Sequence, residues 1–302
     1  MTEPPNLLNA PARKALGQHF LFDPDILRRT ALAAGPVDGR TVFEVGPGPG
    51  GLTRALLDQG AKRVIAVEAD ARFAAALRTW PETASGRLHV IEADARRVHW
   101  ASALSELDAD LPAMVIANLP YNVGTPLLVD WLKAGAWRGE MALMFQKEVA
   151  ERICAQPGDR YYGRLAVLAA AVTKAHLAFS LPPGAFKPPP KVESAVAVLH
   201  PLPENACYHR LDTLEAVSAA AFGQRRKMLR GALKSLANTH GVSATDWLDT
   251  AGVAEDARAE TVDQSGFRRL ADALLAMSPK QDDQGPGNGR SPAGQATPRR
   301  DV

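Results

Sequence analysis

A glycine-rich segment is the first feature of the sequence that could bind a ligand. The run EVGPGPGG spans residues 44–51 and directly follows an apolar, β-branched run. Glycine lets the backbone turn sharply and approach a ligand closely, where a Cβ atom would collide. The spacing also satisfies GxGxxG, and Glu68 follows at the distance typical of a ribose-binding carboxylate. A nicotinamide dinucleotide is therefore one candidate ligand.

The acidic side chains near this segment favour S-adenosylmethionine over a dinucleotide. Glu44 suits the cationic amino-acid end of S-adenosylmethionine, whereas a pyrophosphate would require neutral or basic surroundings. Asp94 can accept a hydrogen bond from an adenine amine, although Asp at a strand end more often caps a helix or forms a turn. We expect these groups at neighbouring carboxyl ends of one parallel sheet, where open α/β sheets bind ligands. The predicted contacts to the cofactor, which leaves as S-adenosylhomocysteine, are Glu44, Gly46, Gly48, Gly50, Glu68, Asp94 and Ala95.

The tetrapeptide Asn118-Leu119-Pro120-Tyr121 could perform chemistry on an amine. An adenine amine is a weak nucleophile because its lone pair is delocalised, so its attack on a sulfonium methyl is helped by acceptors for its N–H bonds. The side-chain oxygen of Asn118 and the carbonyl of Leu119 are the predicted acceptors, and Pro120 fixes the backbone between them and the tyrosine. Tyr121 offers a ring face on which an unstacked base can lie. A turn-forming Asn118 and a core Tyr121 are the alternative interpretations.

A sheet must position these segments, and the sequence predicts one. Apolar runs alternate with helix-length segments such as 52–59 and 71–78, which is typical of βαβ units with a parallel sheet covered on both faces. The segments 174–181 and 194–200 follow each other without a helix and predict an antiparallel edge hairpin joined by the loop 182–192. The expected fold class is a Rossmann-like α/β methyltransferase sheet, mostly parallel. Its predicted parallel strands are 41–45, 64–68, 88–92, 113–117 and 141–146.

Beyond Pro203 the pattern changes to helices only, with apolar residues at helical spacing in 208–221, 225–238, 245–251 and 266–277. We predict a methyltransferase domain over residues 1–203, including an N-terminal lid segment. A small all-helical domain that binds RNA or the ribosome is predicted over 204–277. Residues 278–302 have almost no apolar side chains to offset the entropy of ordering, and they predict a disordered tail.

Basic residues cluster in the helical part. Residues 222–234 contain five basic side chains and no acid. Such runs are usually solvated helix faces. Cations at the start of a helix are disfavoured by its dipole, however, so this run favours contact with phosphates. The predicted RNA-binding residues are Arg225, Arg226, Lys227, Arg230 and Lys234.

Composition excludes several other classes of protein. Of the 302 residues, 46% are hydrophobic and 23% are charged, as in ordinary globular proteins. No apolar run approaches the roughly 20 residues of a membrane helix, and the N-terminus lacks the apolar region of a secretory signal. The cysteines, Cys154 and Cys207, lack the spacing of a disulfide framework or a zinc site. We therefore expect a cytoplasmic monomer without a metal.

Taken together, the motifs resemble those of ribosomal small-subunit RNA adenine dimethyltransferases over residues 13–275. The resemblance is carried by 16–21 (LGQHFL), 44–50 (EVGPGPG), Glu68, Asp94, 118–122 (NLPYN), 186–192 (FKPPPKV) and 222–227 (FGQRRK). It implies a Rossmann-like domain with a small helical domain, and cofactor contacts at His19, Leu21, Gly46, Glu68, Asp94 and Asn118. Members usually carry Asn where this sequence has His19, which puts a side-chain contact there in doubt.

The resemblance also implies a substrate. Members transfer two methyl groups onto each of two adjacent adenosines near the 3′ end of 16S rRNA, within the immature small ribosomal subunit. Phe186 lies in the hairpin loop among prolines that stiffen it, and we hypothesise that its ring stacks on the flipped adenine opposite Tyr121. A hydrophobic plug for the hairpin is the alternative interpretation of Phe186.

Two other functions remain open. A large-subunit rRNA adenine methyltransferase shares the glycine and Asn-x-Pro-Tyr motifs but matches 186–192 and 222–227 less well. A ribosome-assembly factor would act mainly by binding rather than by catalysis. The residues alone restrict the function to methylation of an adenine amine in RNA or DNA.

Overall fold

The structure of the protein is a computed structural model that describes residues 13, 17–107, 109–135 and 137–278. Of the predicted tail, only Ser278 lies within the described residues. The strands are β1 (Phe20–Leu21), β2 (Thr41–Val45), β3 (Arg63–Glu68), β4 (Leu88–Glu92), β5 (Ala113–Asn118), β6 (Arg138–Gln146), β7 (Thr173–Leu181), β8 (Phe186–Lys187) and β9 (Ser194–Pro201).

Helices surround these strands. They are α1 (Pro24–Ala31), α2 (Gly51–Asp58), α3 (Ala71–Leu77), α4 (Pro81–Ala84), α5 (Trp100–Glu106), α6 (Gly124–Lys133), α7 (Lys147–Cys154), α8 (Arg164–Val172), α9 (Leu211–Gly223), α10 (Leu229–Ala232), α11 (Lys234–Thr239), α12 (Ala244–Thr250) and α13 (Gln264–Met277). Carboxylate caps define several of their starts: Asp23, Asp70 and Asp263 each accept hydrogen bonds from amides in the first turn of α1, α3 and α13.

The described residues form a large sheet with the strand order β4-β3-β2-β5-β6-β9-β7. The strands β2 to β6 pair in parallel, while β9 pairs antiparallel with both β6 and β7. This confirms the predicted fold class, a mostly parallel sheet with an antiparallel hairpin at one edge. The order of the strands reverses between β2 and β5, which is where open α/β sheets bind their ligands.

The strands are apolar because both faces of the sheet are covered. Alternate residues of β2 enter different core clusters, as the two-residue period of a strand requires. Val42 belongs to the cluster that contains Val64 and Ile116. Phe43 lies on the other face, where its ring centroid is 4.3 Å from that of Trp100 in an edge-to-face contact.

The loop predicted over residues 182–192 contains a short strand of its own. In this second, two-stranded sheet, β8 pairs antiparallel with β1, so that Phe20 lies opposite Lys187 and Leu21 opposite Phe186. A strand of two residues leaves no periodic pattern in a sequence. This pairing, which connects the N-terminal segment to the hairpin loop, was therefore absent from the predictions.

The helix predicted over residues 225–238 is wrong in its first part. Residues 224–227 form a turn, and helical structure resumes only in α10 and α11. Met228 forms an isolated antiparallel bridge with Arg258, and the amide of Leu229 donates to the carbonyl of Ala257. These long-range bonds use backbone groups that a continuous helix would have used.

The C-terminal helices share a core with the large sheet. Trp247 and Phe267 belong to the same buried cluster as Phe43. Arg268 on α13 also donates to the carbonyls of Ala170 and Ala171 in α8. The predicted boundary at residues 203–204 therefore marks a change from strands to helices within one continuous core. No helix in the described part of the chain is long and apolar enough to span a membrane.

Candidate active site

A cavity lies at the carboxyl ends of β2, β3, β4 and β5. Its wall includes all residues of the glycine loop (residues 46–51) except Gly50, and it includes residues 17–21, which we call the N-terminal strap. The predicted site residues that line the cavity are His19, Leu21, Glu44, Gly46, Gly48, Glu68, Asp94, Ala95, Asn118, Leu119, Pro120 and Tyr121. The structure thus brings together residues from five separate segments of the sequence.

The glycine loop adopts a backbone conformation that suits glycine. Gly46 and Gly48 have φ angles of 69° and 54°. A Cβ atom on Gly48 would lie 2.7 Å from Cε1 of Phe20, so the strap packs directly on the loop. Gly50 does not line the cavity, and a Cβ atom there would lie 2.6 Å from the ring of Trp80. The structure places Gly50 against Trp80, and its contact with the cofactor stays a prediction.

Glu68 at the end of β3 organises the backbone around the cavity. Its Oε2 accepts from the amide of Gly48 over 2.9 Å, and its Oε1 accepts from the amide of Asp70 over 2.7 Å. The side chain is buried, and burial raises the pKa of Glu68 above its usual range. An ionised carboxylate has about four acceptor positions. An acceptor position that the backbone amides leave can serve a ligand in the cavity.

Glu44 at the end of β2 is a buried acid. The hydroxyl of Thr53, on α2, donates to its Oε2 over 2.6 Å. Burial raises the pKa of Glu44 to about 8, and the charge of Glu68 adds to the effect, while the Thr53 hydrogen bond opposes it. At neutral pH without a nearby cation, Glu44 is therefore mainly protonated. A cationic group placed in the cavity would favour its ionised form.

Asp94 caps the short 3₁₀ turn formed by residues 95–97. Its Oδ1 accepts from the amide of Arg96 over 3.0 Å, and its Oδ2 accepts from the Arg96 guanidinium over 2.6 Å. These bonds hold the pKa of Asp94 below its usual range, so the side chain remains an ionised acceptor. Asp94 therefore caps this turn and also lines the cavity.

Asn118 is the last residue of β5, and the strap fixes its side chain. Its Nδ2 donates to the backbone carbonyl of His19 over 3.0 Å. No described residue donates a hydrogen bond to its Oδ1. The next residue, Leu119, is buried, and the carbonyl of Pro120 accepts from the amides of Val123 and Gly124. These hydrogen bonds hold the turn in place. The bond from Nδ2 to His19 fixes the orientation of the Asn118 carboxamide.

Tyr121 is half-buried at the cavity wall. Its hydroxyl lies 2.5 Å from Oγ of Ser194 at the start of β9. Its ring stacks with the ring of His19, at a centroid distance of 5.5 Å and an interplanar angle of 29°. Burial raises the pKa of Tyr121, so the hydroxyl stays protonated at physiological pH. An aromatic ring at this position can support a planar ligand.

Known proteins are similar to this chain in sequence and in fold. A family model described as Ribosomal RNA adenine dimethylase matches residues 9–275. The chain belongs to the ribosomal RNA adenine dimethylase family.

Individual relatives of this dimethylase agree with that assignment. Ribosomal RNA small subunit methyltransferase A of Caulobacter vibrioides is 53% identical over 264 residues, which cover 87% of this chain and 98% of the relative. The crystal structure of a dimethyladenosine transferase from Plasmodium falciparum has a TM-score of 0.70 at 25% identity, covering 86% of this chain and 98% of the other. The 23S rRNA methyltransferase ErmE has a TM-score of 0.61 at 26% identity, covering 85% and 99%.

Phe186 is a buried residue of the hairpin loop in this structure. Its side chain is 2% exposed and packs in the cluster that contains Leu21, Leu27 and Leu181. Successive residues of a strand face opposite ways, so the pairing of β8 with β1 points Phe186 into the core and leaves Lys187 exposed. Phe186 therefore contributes to the hydrophobic packing of the hairpin in this structure, and its stacking on a flipped adenine stays a prediction.

The basic residues of the dimethylase are less isolated than their sequence indicates. Arg225 donates to Glu260 over 2.9 Å and to the carbonyl of Arg160. Arg230 forms an ion pair with Glu255 at 3.7 Å. The fold therefore supplies acids that the local run lacks, and RNA binding by the five basic residues stays a prediction. Among the described residues, no acid pairs with Arg226, Lys227 or Lys234.

Sequence reasoning missed the groups that anchor the strap of the dimethylase. Asp70 is fully buried and accepts from Nε2 of Gln18 over 3.3 Å, and Arg13 lies 3.7 Å from the same carboxylate. Arg72 holds the pKa of Asp70 down, at about 2. The position of Asp70 just before a helix was a detectable signal for a cap. No sequence signal indicated that Asp70 also contacts Gln18, which lies 52 positions away.

Proposed function

We propose that this protein transfers methyl groups from S-adenosylmethionine to the exocyclic amines of two adjacent adenosines near the 3′ end of 16S rRNA. The observation that carries the proposal is the Asn118 side chain at the cavity wall: its nitrogen donates to the carbonyl of His19, and no described residue donates to its oxygen. The substrate rests on relatives such as the Caulobacter vibrioides enzyme, named ribosomal RNA small subunit methyltransferase A. A 23S rRNA substrate is less well supported, because ErmE is only 26% identical.

The donor set of the cavity fits S-adenosylmethionine. A remaining acceptor position of Glu68 suits a hydroxyl of a ribose, and the glycine loop lets the backbone approach closely. Glu44 suits the cationic amino-acid end of the cofactor. The carboxylate of Asp94 accepts from Arg96, and it suits the adenine amine as a further donor. When bound, S-adenosylmethionine supplies an electrophilic methyl group on a sulfonium.

The residues of the Asn118 turn act on the adenine amine. Oδ1 of Asn118 and the carbonyl of Leu119 accept its two N–H bonds, which draws the nitrogen lone pair out of conjugation with the ring. These acceptors are fixed before the reaction, so they stabilise the positive charge that develops on the nitrogen without reorganising. The ring of Tyr121 stacks on the base and holds it in register. The proton that the amine loses leaves to water.

The remaining parts of the molecule have supporting roles in this proposal. The methyltransferase part, residues 1–203, binds the cofactor under the strap. The helical part, residues 204–277, contacts RNA in the immature small subunit through Arg226, Lys227 and Lys234, which pair with no acid in the described part of the chain. The protein acts as a cytoplasmic monomer.

Methyl transfer from tritiated S-adenosylmethionine tests the proposal. Three substrates are compared: small subunits whose 16S rRNA lacks adenine methylation, fully methylated small subunits, and free 16S rRNA. We expect tritium in unmethylated subunits, recovered as N6,N6-dimethyladenosine after digestion to nucleosides. Label in another nucleoside, or in 23S rRNA only, would overturn the proposal.

A further inference from the structure

His19 contacts three parts of the site at once. Its backbone carbonyl accepts from Nδ2 of Asn118 over 3.0 Å. Its ring stacks on Tyr121, and its Nδ1 lies 2.8 Å from the carbonyl oxygen of Pro188 in the hairpin loop. Resting on the proposed function above, we propose that His19 is a positioning residue, which holds Asn118 and Tyr121 in the arrangement that methyl transfer requires.

The first step of the argument concerns the carboxamide of Asn118. Either end of an amide could face a substrate, and only the oxygen can accept an N–H bond from an amine. Because a carbonyl can only accept, the bond to His19 must use the nitrogen of Asn118. The position of the His19 carbonyl therefore decides that the oxygen of Asn118 is the end left for the substrate.

The second step concerns the ring of Tyr121. Two stacked layers at van der Waals contact need about 7 Å or more between the outer rings. The centroids of His19 and Tyr121 are 5.5 Å apart, too close to admit a base between them. The target adenine therefore uses the other face of Tyr121, and His19 supports the tyrosine from behind. The bond between Tyr121 and Ser194 fixes the tip of the same ring.

The third step concerns what holds His19 itself. The carbonyl of Pro188 cannot donate, so Nδ1 of His19 must carry the proton, and this defines the tautomer of the neutral ring. On either side of His19, Gln18 is bound to the buried carboxylate of Asp70, and Phe20 pairs with Lys187. His19 is thus held from both sides of the cavity. Its side chain adds the connection to the hairpin loop.

Substitutions at His19 separate a positioning role from a role in cofactor binding. His19→Ala removes the ring, and His19→Phe keeps a ring without the donor to Pro188. We expect His19→Ala to lower the single-turnover rate of methyl transfer roughly 10- to 100-fold, as small displacements of reacting groups do. His19→Phe is expected to have an intermediate rate. Affinity for S-adenosylhomocysteine should change much less, because Gln18 and the β1–β8 pairing still hold the strap.

A triple variant, compared with its double-variant background, tests whether His19 acts through its neighbours. In an Asn118→Ala, Tyr121→Ala background, His19→Ala should cause no further loss of rate, because its targets are already gone. His176→Ala, an exposed histidine on the edge strand β7, is the matched control and should leave the rate unchanged. Every rate is referred to the wild-type enzyme, so an inactive wild type contradicts the proposed function and not this inference.

Three results would overturn the inference. The first is an additive loss of rate in the triple variant, and the second is a loss of S-adenosylhomocysteine affinity that matches the loss of rate. The third is a lower KM for RNA with an unchanged rate in His19→Ala, which would make the ring a placeholder for the base. A measurement without turnover gives an independent check: ¹⁵N NMR shifts of the His19 ring should report a protonated Nδ1, and the opposite tautomer contradicts the bond to Pro188.

Discussion

The side-chain nitrogen of Asn118 donates to the backbone carbonyl of His19 across 3.0 Å, although the two residues lie 99 positions apart in the sequence. This bond connects the end of β5 to the N-terminal strap. It also orients the carboxamide, because a carbonyl partner can only accept. One contact thus joins the N-terminal strap directly to the predicted catalytic acceptor.

Replacing Glu44 by glutamine should change how stability depends on pH. Burial raises the pKa of Glu44 from 4.5 to about 8 in the folded protein, so the folded state binds a proton that the unfolded state releases between these values. The stabilisation from this protonated acid is complete below pH 4.5 and is lost as pH rises through 8. Relative to wild type, the free energy of unfolding of Glu44→Gln should therefore rise over this range.

Urea unfolding at a series of pH values measures this effect. Thr53→Val provides a matched variant: the Thr53 hydrogen bond lowers the pKa of Glu44, so its removal should extend the pH-dependent loss to higher pH. If wild type and Glu44→Gln keep a constant difference in unfolding free energy from pH 5 to 8.5, Glu44 does not titrate in this range.

Binding of S-adenosylhomocysteine at pH 7 should release a proton from Glu44. The product carries the same ammonium group as the cofactor, and a nearby cation favours the ionised carboxylate. Calorimetric titration in two buffers of different ionisation enthalpy gives the number of protons released. We expect most of one proton for wild type and none for Glu44→Gln. Equal values for the two proteins would place the ammonium away from Glu44.

Replacing Gly48 by alanine should weaken cofactor binding. A left-handed backbone costs a non-glycine residue about 1–2 kcal/mol, and the new Cβ would lie 2.7 Å from Phe20. Phe20→Leu in the same chain should recover part of the lost affinity by relieving the contact but not the strain. Gly184→Ala is the control, because a Cβ there meets nothing within 4 Å. Calorimetry with S-adenosylhomocysteine measures all three, and wild-type affinity in Gly48→Ala would contradict the described loop.

Removing Arg226 and Lys227 together should make RNA binding less sensitive to salt. Neither side chain pairs with an acid among the described residues, so both are available for phosphates. The slope of log K against log salt should become shallower by about 1.5, since each phosphate contact contributes about 0.7–0.9. Arg225→Ala should change the slope less, because Arg225 is already paired with Glu260. Filter binding with 16S rRNA measures both, and an unchanged slope in the double variant would make this turn an ordinary surface.

Much of the fold could be predicted because its signals are local. Each parallel strand is a short apolar run, and Glu68 and Asn118 are recognisable as polar residues at strand ends. The glycine loop could be located because Gly46 and Gly48 adopt backbone angles that other residues avoid. In these segments, local sequence and global fold agree.

The rest depends on contacts between distant segments. No local pattern shows that Glu260 reaches Arg225, or that the pairing of β1 with β8 buries Phe186. The turn at residues 224–227 replaced a predicted helix because Met228 bonds to a segment 30 residues away. The stack of His19 on Tyr121 likewise joins two segments that lie far apart in the sequence. Helical or strand periodicity carries no information about such contacts.

The central claim is that the Asn118 oxygen accepts from the adenine amine during methyl transfer. The single-turnover rate of Asn118→Ala with unmethylated small subunits, measured beside its affinity for S-adenosylhomocysteine, tests this most directly. We predict a rate roughly 10²- to 10³-fold below wild type, as for the loss of one preorganised group, with cofactor affinity largely retained. A wild-type rate of N6,N6-dimethyladenosine formation in Asn118→Ala would contradict the account.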